Sequence, residues 1–307
     1  MYFQIKKVLR SWIDPMKLDF RRVGAIDNSI DFFKENNNLI MDSCWDVITM
    51  KNKNVLKLIH LKLYNIIWSC ISENPGAISI LKANEDKIDW MAISSNSAAI
   101  DIIKDNLDKK ICWYKLSKNP GAISLLEANK DKINWDGLSS NPNAIEILEN
   151  NIDKINWFRL SSNPNPKAIE ILRKNIDKID WINLSENPSA IELLKEYPNK
   201  INWNYLSLNP NAITLLNENI DKINWDYLSA NPAAISLLEA NKNKINYIYL
   251  SGNPQIFIDS YIYDYDLIQK YNFKLNSEIV AMALNPIRIN NLMSKYGRDI
   301  VYYNYFS

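Results

Sequence analysis

Apolar and polar positions along this chain repeat with a period of about 22 residues, which indicates a tandem repeat array. Within residues 141–162, apolar residues recur at the spacing of one helix face from Ala144 to Ile152. Asn141 and Pro142 are typical of a helix N-cap and first position, because Asn accepts from a free backbone N–H and Pro has none to satisfy. Each repeat is therefore predicted to contain a short helix that begins at Asn-Pro.

A large aromatic residue precedes the Asn of each regular repeat by six positions. A bulky apolar side chain at one place in every unit is what a stacked core requires. These anchors are predicted to form a structural core ladder. The ladder comprises Trp45, Trp68, Trp90, Trp113, Trp135, Trp157, Trp181, Trp203, Trp225 and Tyr247.

The second half of the repeat allows two interpretations. Asn151 is predicted to end the first helix in the left-handed conformation, and Asp153 to cap a second short helix through Trp157 and Leu160. The alternative is a short strand, because Lys-Ile-Asn-Trp also alternates, which would give a horseshoe with a parallel sheet. We favour the helical interpretation because Leu160 breaks the alternation.

The predicted fold is all-α, a right-handed α-solenoid of short repeats that each contain an α-helix and a second α or 3₁₀ element. Diverged capping units are expected at both ends. Within residues 18–67, Phe20 occupies the position of the aromatic anchor, and Val23 occupies the position of the leucine that follows the anchor. The segments are an N-terminal cap at 1–17, degenerate repeats at 18–67, the regular array at 68–253 and a C-terminal cap at 254–307.

The two positions after each anchor differ from copy to copy, so a binding surface could be encoded there without disturbing the scaffold. Aromatic residues and Arg are enriched at the energetic centres of protein interfaces. The equally simple alternative is that these side chains only pack against the adjacent turn. The candidate protein-binding ridge consists of Tyr114, Lys115, Phe158, Arg159, Tyr205, Tyr227 and Tyr249.

The amino-acid composition disfavours several classes of function. The 36 basic and 35 acidic residues give a net charge of +1, without the basic excess of an electrostatic nucleic-acid binder. Three cysteines in different repeats do not suggest a disulfide framework, and neither a leader nor a long apolar stretch is evident. We therefore expect an intracellular protein that is not secreted and has no membrane contact.

Candidate chemistry is sparse. His60 is the single histidine, and it has no Cys or acidic neighbour at metal-ligand spacing. No glycine-rich phosphate loop or nucleophile–base pair is evident, and the Asp-Lys pairs recur in nearly every repeat instead of marking one site. The expectation is a protein that is not an enzyme and has no catalytic, metal or cofactor-binding residues and no cofactor.

The phrase Asp-Lys-Ile-Asn-Trp-x-x-Leu-Ser-x-Asn-Pro-x-Ala-Ile-x-Leu-Leu resembles a repeat found in proteins of giant DNA viruses of the mimivirus kind. The resemblance covers roughly residues 18–307 and includes the ending at Ala283-Leu284-Asn285-Pro286. In construction the repeat is also similar to leucine-rich variant repeats, which alternate an α-helix with a 3₁₀-helix. The resemblance implies a location in the host cytoplasm or the virion and supplies no catalytic residues.

Three functions remain open from the sequence. The favoured one is a non-enzymatic scaffold that binds a viral or host protein along its solenoid surface. The second is a structural component of the virion, in the capsid or core. The third is binding of single-stranded nucleic acid, which the mixed charges of the varying positions disfavour.

Overall fold

The computed structural model describes the regular array and part of what precedes it. The described residues are 3–9 and 67–263, together with Ile13, Leu18, Asp19, Arg22, Val23, Ile26, Met50, Lys51 and Lys53. Lys7–Ile258 form one compact unit, and Met1–Lys6 with Asp259–Ser307 form a second. The repeats lie in the first unit. Trp45 and the predicted C-terminal cap beyond Tyr263 fall outside the described residues.

Each described repeat contains two short α-helices. The anchor helices begin at the aromatic anchor and span Trp68–Glu73, Trp90–Ile93, Trp113–Lys118, Trp135–Ser139, Trp157–Ser161, Trp181–Glu186, Trp203–Leu206, Trp225–Ala230 and Tyr247–Leu250. The Asn-Pro helices follow the Asn-Pro or Asn-Ser step and span Ile78–Ala83, Ile100–Lys104, Ile123–Glu127, Ile145–Glu149, Pro166–Arg173, Ile191–Glu196, Ile213–Asn217 and Ile235–Ala240. The predicted helical repeat array is confirmed, and the strand alternative for its second half is wrong.

Two sets of 3₁₀ turns connect these helices. One set begins at the proline after the buried Asn and comprises Pro75–Ala77, Pro120–Ala122, Pro188–Ala190, Pro210–Ala212, Pro232–Ala234 and Pro254–Ile256. The other follows the Asn-Pro helix and comprises Glu85–Lys87, Lys130–Lys132, Ile152–Lys154, Ile176–Lys178, Pro198–Lys200, Ile220–Lys222 and Lys242–Lys244. Such short helices are marginal alone, so packing between repeats must stabilise them.

Two strands flank the helical part of the described chain. Strand β1 spans Phe3–Leu9, within the segment predicted as the N-terminal cap, and strand β2 spans Phe257–Tyr263. They pair in a two-stranded sheet. Strand β2 begins directly after the last described 3₁₀ turn, Pro254–Ile256. No helix in the described part of the chain is long and apolar enough to cross a membrane.

The core is built mainly from aliphatic side chains. In the repeat that begins at Asn141, Ala144 and Leu148 are fully buried, as is Leu160 of the following anchor helix. Trp157 packs against this core but is only partly buried. The described tryptophans therefore line the edge of a Leu, Ile and Ala core and do not fill its centre.

Two predicted local roles need correction. Asn151 has φ −143° and ψ 52°, which is not left-handed, and its side-chain Nδ2 instead donates to the carbonyl of Ile147 at 2.8 Å. The exposed Asp153 lies inside the 3₁₀ turn and does not cap the next helix. The cap is Asn156, whose side-chain oxygen accepts from the amide of Arg159 at 3.1 Å. The cap precedes the anchor because the helix begins at the tryptophan itself.

A ladder of buried asparagines connects successive repeats. In one rung, the Asn209 Oδ1 accepts from the amide of Asn211, as an N-cap should, at 3.0 Å. Its Nδ2 also donates to the carbonyls of Ser185 at 3.1 Å and Asn187 at 2.8 Å in the preceding repeat. Only an amide offers this acceptor together with two donors. The same paired donation is made by Asn96, Asn141, Asn163, Asn187, Asn231 and Asn253.

A second ladder consists of buried serines near the ends of the anchor helices. Ser229 Oγ donates to the carbonyl of Trp225 at 2.8 Å and accepts from the amide of Asn246 in the next repeat at 3.0 Å. Each serine therefore connects the end of one anchor helix to the start of the next. The amide-accepting serines are Ser72, Ser94, Ser117, Ser139, Ser161, Ser185, Ser207, Ser229 and Ser251.

Candidate interaction surface

The predicted ridge divides into two rows with different environments. The first-position row contains the residues directly after the anchors: Ser69, Met91, Tyr114, Asp136, Phe158, Ile182, Asn204, Asp226 and Ile248. The second-position row contains the next residue of each repeat: Cys70, Ala92, Lys115, Gly137, Arg159, Asn183, Tyr205, Tyr227 and Tyr249. Tyr114 and Phe158 of the predicted ridge lie in the exposed first row, and the other five lie in the second, which is more buried.

Large apolar side chains of the first-position row point into solvent. Phe158 is 52% exposed and Ile182, one repeat further on, is 47% exposed. Met91 and Tyr114 form a similar pair in adjacent repeats, at 46% and 37%. Ile248 belongs to the same row and is exposed as well. Exposed apolar side chains that cluster in neighbouring units are characteristic of interaction sites.

Polar residues of the same row have a structural role. Asp136 Oδ1 accepts from Asn156 Nδ2, the cap of the next anchor helix, at 2.7 Å. Asp226 accepts in the same way from Asn246 at 3.0 Å. The row therefore contains two kinds of repeat, those that use this position to hold the next cap and those that expose an apolar side chain there.

The second-position row contains a stack of tyrosines. The ring centroids of Tyr205 and Tyr227 are 5.8 Å apart, and those of Tyr227 and Tyr249 are 5.6 Å apart, both in edge-on geometry. This separation is in the favourable range for aromatic pairs. The three tyrosines are half-buried, so much of each ring is committed to its neighbours within the chain.

The two basic residues of the predicted ridge also have partners. Lys115 Nζ lies 2.6 Å from the Glu73 carboxylate, two repeats earlier in the sequence. The Arg159 guanidinium lies 5.5 Å from the centre of the Phe158 ring. We define the Phe158 patch as Phe158, Arg159, which contacts its ring, and Ile182, which is exposed at the equivalent position of the next repeat.

A lysine covers one side of most tryptophan anchors. Lys154 Nζ lies 4.7 Å from the ring centre of Trp135, within cation–π range. Lys87, Lys132, Lys178, Lys222 and Lys244 take the same place over Trp68, Trp113, Trp157, Trp203 and Trp225. Trp181 instead contacts Tyr197, with ring centroids 5.2 Å apart. These contacts give the lysine of the Asp-Lys step a packing role that the sequence alone did not reveal.

Another pair of charged side chains on the described surface interacts directly. Arg173 and Glu196 form a two-point ion pair with N–O distances of 2.6 and 2.8 Å. This hydrogen bond lowers the pKa of the Glu196 carboxyl and raises that of the Arg173 guanidinium. The described residues contain no group of three or more His, Cys, Asp or Glu placed to hold a metal ion.

Sequence reasoning named Tyr114 and Phe158 of the exposed apolar row but missed Met91, Ile182 and Ile248. The missed residues are apolar at a position that other repeats give to Asp or Asn. That contrast was visible in the sequence, but its meaning depended on knowing that this position faces solvent.

Searches of protein-family models, curated proteins and solved structures found no match to this chain.

Proposed function

We propose that this protein is a non-enzymatic scaffold that binds another protein through the first-position row of its repeats. The observation that carries the proposal is the Phe158 patch, where two apolar side chains are exposed at the same position of adjacent repeats and one of them contacts an arginine. Aromatic and arginine residues in such a cluster are the usual anchors of protein interfaces.

The contrast within the row supports the proposal. Asp136 accepts a hydrogen bond from the next repeat, so the aspartate at this position has a structural role. Phe158 and Ile182 expose about half of their surface, and their apolar side chains form no such hydrogen bond within the chain. Burial of this surface against a partner would contribute about 25 cal/mol for each Å² of apolar area.

A protein fits this surface better than a nucleic acid does. Asp136 and Asp226 lie in the same row as Phe158, and their carboxylates would repel a phosphate backbone that followed the row. Arg159 lies against an aromatic ring and is not part of a basic stripe. The resemblance to giant-virus repeat proteins supports a viral or host protein as the proposed partner, in the host cytoplasm or the virion.

The test is a paired binding experiment. The tagged full-length protein is used to recover partners from cells that express it, with nuclease treatment and a high-salt wash, and a recovered partner is purified and titrated by calorimetry. The test variant is Phe158→Asp with Ile182→Asp, which leaves the buried ladders intact. The matched control is Ile220→Asp, because Ile220 is also 50% exposed but lies in a 3₁₀ turn.

We expect the double variant to weaken binding at least about 30-fold, which corresponds to about 2 kcal/mol, while the control binds like the parent protein. Equal binding by the double variant and the parent would contradict the proposed surface. Recovery of nucleic acid that is lost at high salt, with no protein remaining, would contradict the proposed partner class.

A further inference from the structure

A pocket is lined by residues of two successive Asn-Pro helices, Ile123–Glu127 and Ile145–Glu149. Its volume is about 320 Å³, which lies in the range of small-molecule sites. Its apolar lining consists of Trp135, Ile133 and Ile147. All three residues are half-buried, so they offer apolar surface to an occupant. None of the residues that line the pocket belongs to the first-position row, and a variant of one surface therefore leaves the other intact.

Charged side chains of both signs complete the lining. Glu127 belongs to the first of these helices and Glu146 to the second. Lys130 and Lys154 come from the 3₁₀ turns that follow the two helices. Lys154 Nζ lies over the ring of Trp135, so one ammonium group stands beside the apolar surface. The pocket thus combines an apolar wall with two carboxylates and two ammonium groups.

Most of these charged groups are available to a ligand. Within the part of the chain that the structure describes, the ion pairs do not include Glu127, Glu146 or Lys130. Each of the three residues is exposed. They therefore keep their capacity to form charge-assisted hydrogen bonds with a bound molecule.

The equivalent positions beside Trp181 are joined by contacts within the chain. Tyr197 packs against the Trp181 ring, with ring centroids 5.2 Å apart. Arg173 and Glu196 connect the two flanking Asn-Pro helices by a two-point ion pair with N–O distances of 2.6 and 2.8 Å. In that repeat the protein itself supplies the contacts that a ligand would make.

Beside Trp135, the residues of the ion pair and of the ring contact are replaced. The replacements are Glu127 for Arg173, Asn150 for Glu196 and Asn151 for Tyr197. A carboxylate and two short amides can form neither the ion pair nor the ring contact. The open pocket beside Trp135 therefore follows from three residues that differ between the two repeats.

The balance of charges selects the class of ligand. A molecule with a single charge is attracted by one pair of charged side chains and repelled by the other. A molecule that carries one ammonium and one carboxylate meets both pairs, and its apolar body covers the apolar lining. A free α-amino acid with an apolar side chain has these three parts. A peptide terminus, or a charged side chain of a partner protein, carries only one of the two charges.

We propose that the pocket beside Trp135 is a binding site for a free α-amino acid with an apolar side chain. The ammonium group of the ligand is held by Glu127 and Glu146. Its carboxylate is held by Lys130 and Lys154, and its side chain lies against the Trp135 ring.

NMR spectra of the full-length protein test the proposal, with the indole N–H signal of Trp135 as the reporter and that of Trp181 as the internal control. L-leucine and L-phenylalanine should shift the Trp135 signal in a saturable way and leave the Trp181 signal unchanged. Isocaproic acid is leucine without its ammonium group, and isoamylamine is leucine without its carboxylate. Each analogue should bind at least about tenfold more weakly than L-leucine, because one pair of charged side chains stays without a partner.

Two variants locate the site. Asn151→Tyr introduces the ring that Tyr197 supplies in the other repeat, and it should abolish the shift of the Trp135 signal by L-leucine. Glu146→Gln should weaken binding of L-leucine at least about tenfold, because it removes one carboxylate from the pocket. Glu149→Gln is the matched control, since Glu149 is exposed on the same helix but is not among the residues that line the pocket, and it should bind like the parent protein.

The absence of a saturable shift with both amino acids would overturn the proposal. Equal binding of L-leucine and either analogue would overturn it as well, because the pocket would then not recognise both charges. Equal weakening by Glu146→Gln and Glu149→Gln would show that binding depends on the net charge of the protein and not on this pocket. An unchanged Trp181 signal in each variant shows that the array is still folded, so a lost shift reports the pocket itself.

Discussion

Asn209 donates from its side-chain amide to the backbone carbonyl of Asn187, which is the equivalent residue of the preceding repeat, at 2.8 Å. Asn187 makes the same bond to Asn163, also at 2.8 Å, so each asparagine accepts from the next rung and donates to the previous one. All three residues are almost fully buried. The ladder satisfies backbone carbonyls that helix ends would otherwise leave without partners inside the protein.

Asn209→Ala should destabilise the protein by about 2–3 kcal/mol, because two buried carbonyls and one partly buried N–H lose their partner. Urea unfolding followed by tryptophan fluorescence measures the change. Asn211→Ala is the matched control, since its side chain bonds to the carbonyl of Pro188 on the exposed surface, and should cost less than about 0.5 kcal/mol. Similar losses in the two variants would contradict the ladder's role.

The helix cap can be tested with two neighbouring polar residues. Asn156→Ala should cost about 1 kcal/mol, because it removes the acceptor for the amide of Arg159. Asp153→Ala should cost less than about 0.5 kcal/mol, since its side chain makes no cap hydrogen bond. Thermal unfolding of both variants under one buffer condition gives the comparison. A larger loss of stability for Asp153→Ala than for Asn156→Ala would instead support Asp153 as the cap, as the sequence predicted.

The anchors should be important for stability although they are not fully buried. Trp157→Ala is expected to cost about 3 kcal/mol, at the low end for aromatic truncations, because part of the ring already faces solvent. Lys178→Ala should cost less than about 1 kcal/mol, which is the usual size of an exposed cation–π contact. Leu160→Ala serves as the buried reference, at about 2–5 kcal/mol. Denaturant unfolding measures all three, and a loss below about 1 kcal/mol for Trp157→Ala would show that the anchors are dispensable.

The tyrosine stack should contribute to folding. Tyr227→Ala is expected to destabilise the protein by about 1–2 kcal/mol, because the ring contacts both Tyr205 and Tyr249. Tyr114→Ala is the control, since Tyr114 is exposed, and should change the unfolding free energy by less than about 0.5 kcal/mol. Equal, negligible losses would mean that Tyr227 is as available for a partner as Tyr114.

The ion pair of Arg173 and Glu196 predicts a pH effect of known sign. The hydrogen bond from Arg173 holds the pKa of the Glu196 carboxyl below its ordinary value. The ion pair therefore stabilises the folded protein at neutral pH, and this contribution disappears as the pH falls through the lowered pKa. A carbon NMR titration of the Glu196 carboxyl should give a midpoint below that of an ordinary glutamate. Arg173→Ala should return the midpoint to the ordinary range, whereas Lys174→Ala should leave it where it is. Because both side chains are exposed, high salt should also weaken the shift.

The candidate surface could be predicted from the sequence only in part. Variation after the anchors singled out Tyr114 and Phe158 for the candidate ridge, and both side chains are exposed in the structure. The same reasoning grouped Tyr227 with them, although Tyr227 lies between two other rings. Adjacent positions of one helix turn point in different directions, and the sequence does not say which direction faces the next repeat.

The sequence by itself determined the repeat, its helical content and the Asn-Pro step that opens the first helical segment, but not the cap of the second helix, which is Asn156 and not Asp153. Asn-Pro sets the start of a helix by local capping and by the fixed backbone of proline, and neither effect requires a neighbouring repeat. Only the tertiary structure decided the partners of the Asn209 amide, the lysine that covers Trp135 and the docking of Asp19 on Ser251. These contacts join residues from different repeats, and their formation depends on how the repeats stack, which no local pattern specifies.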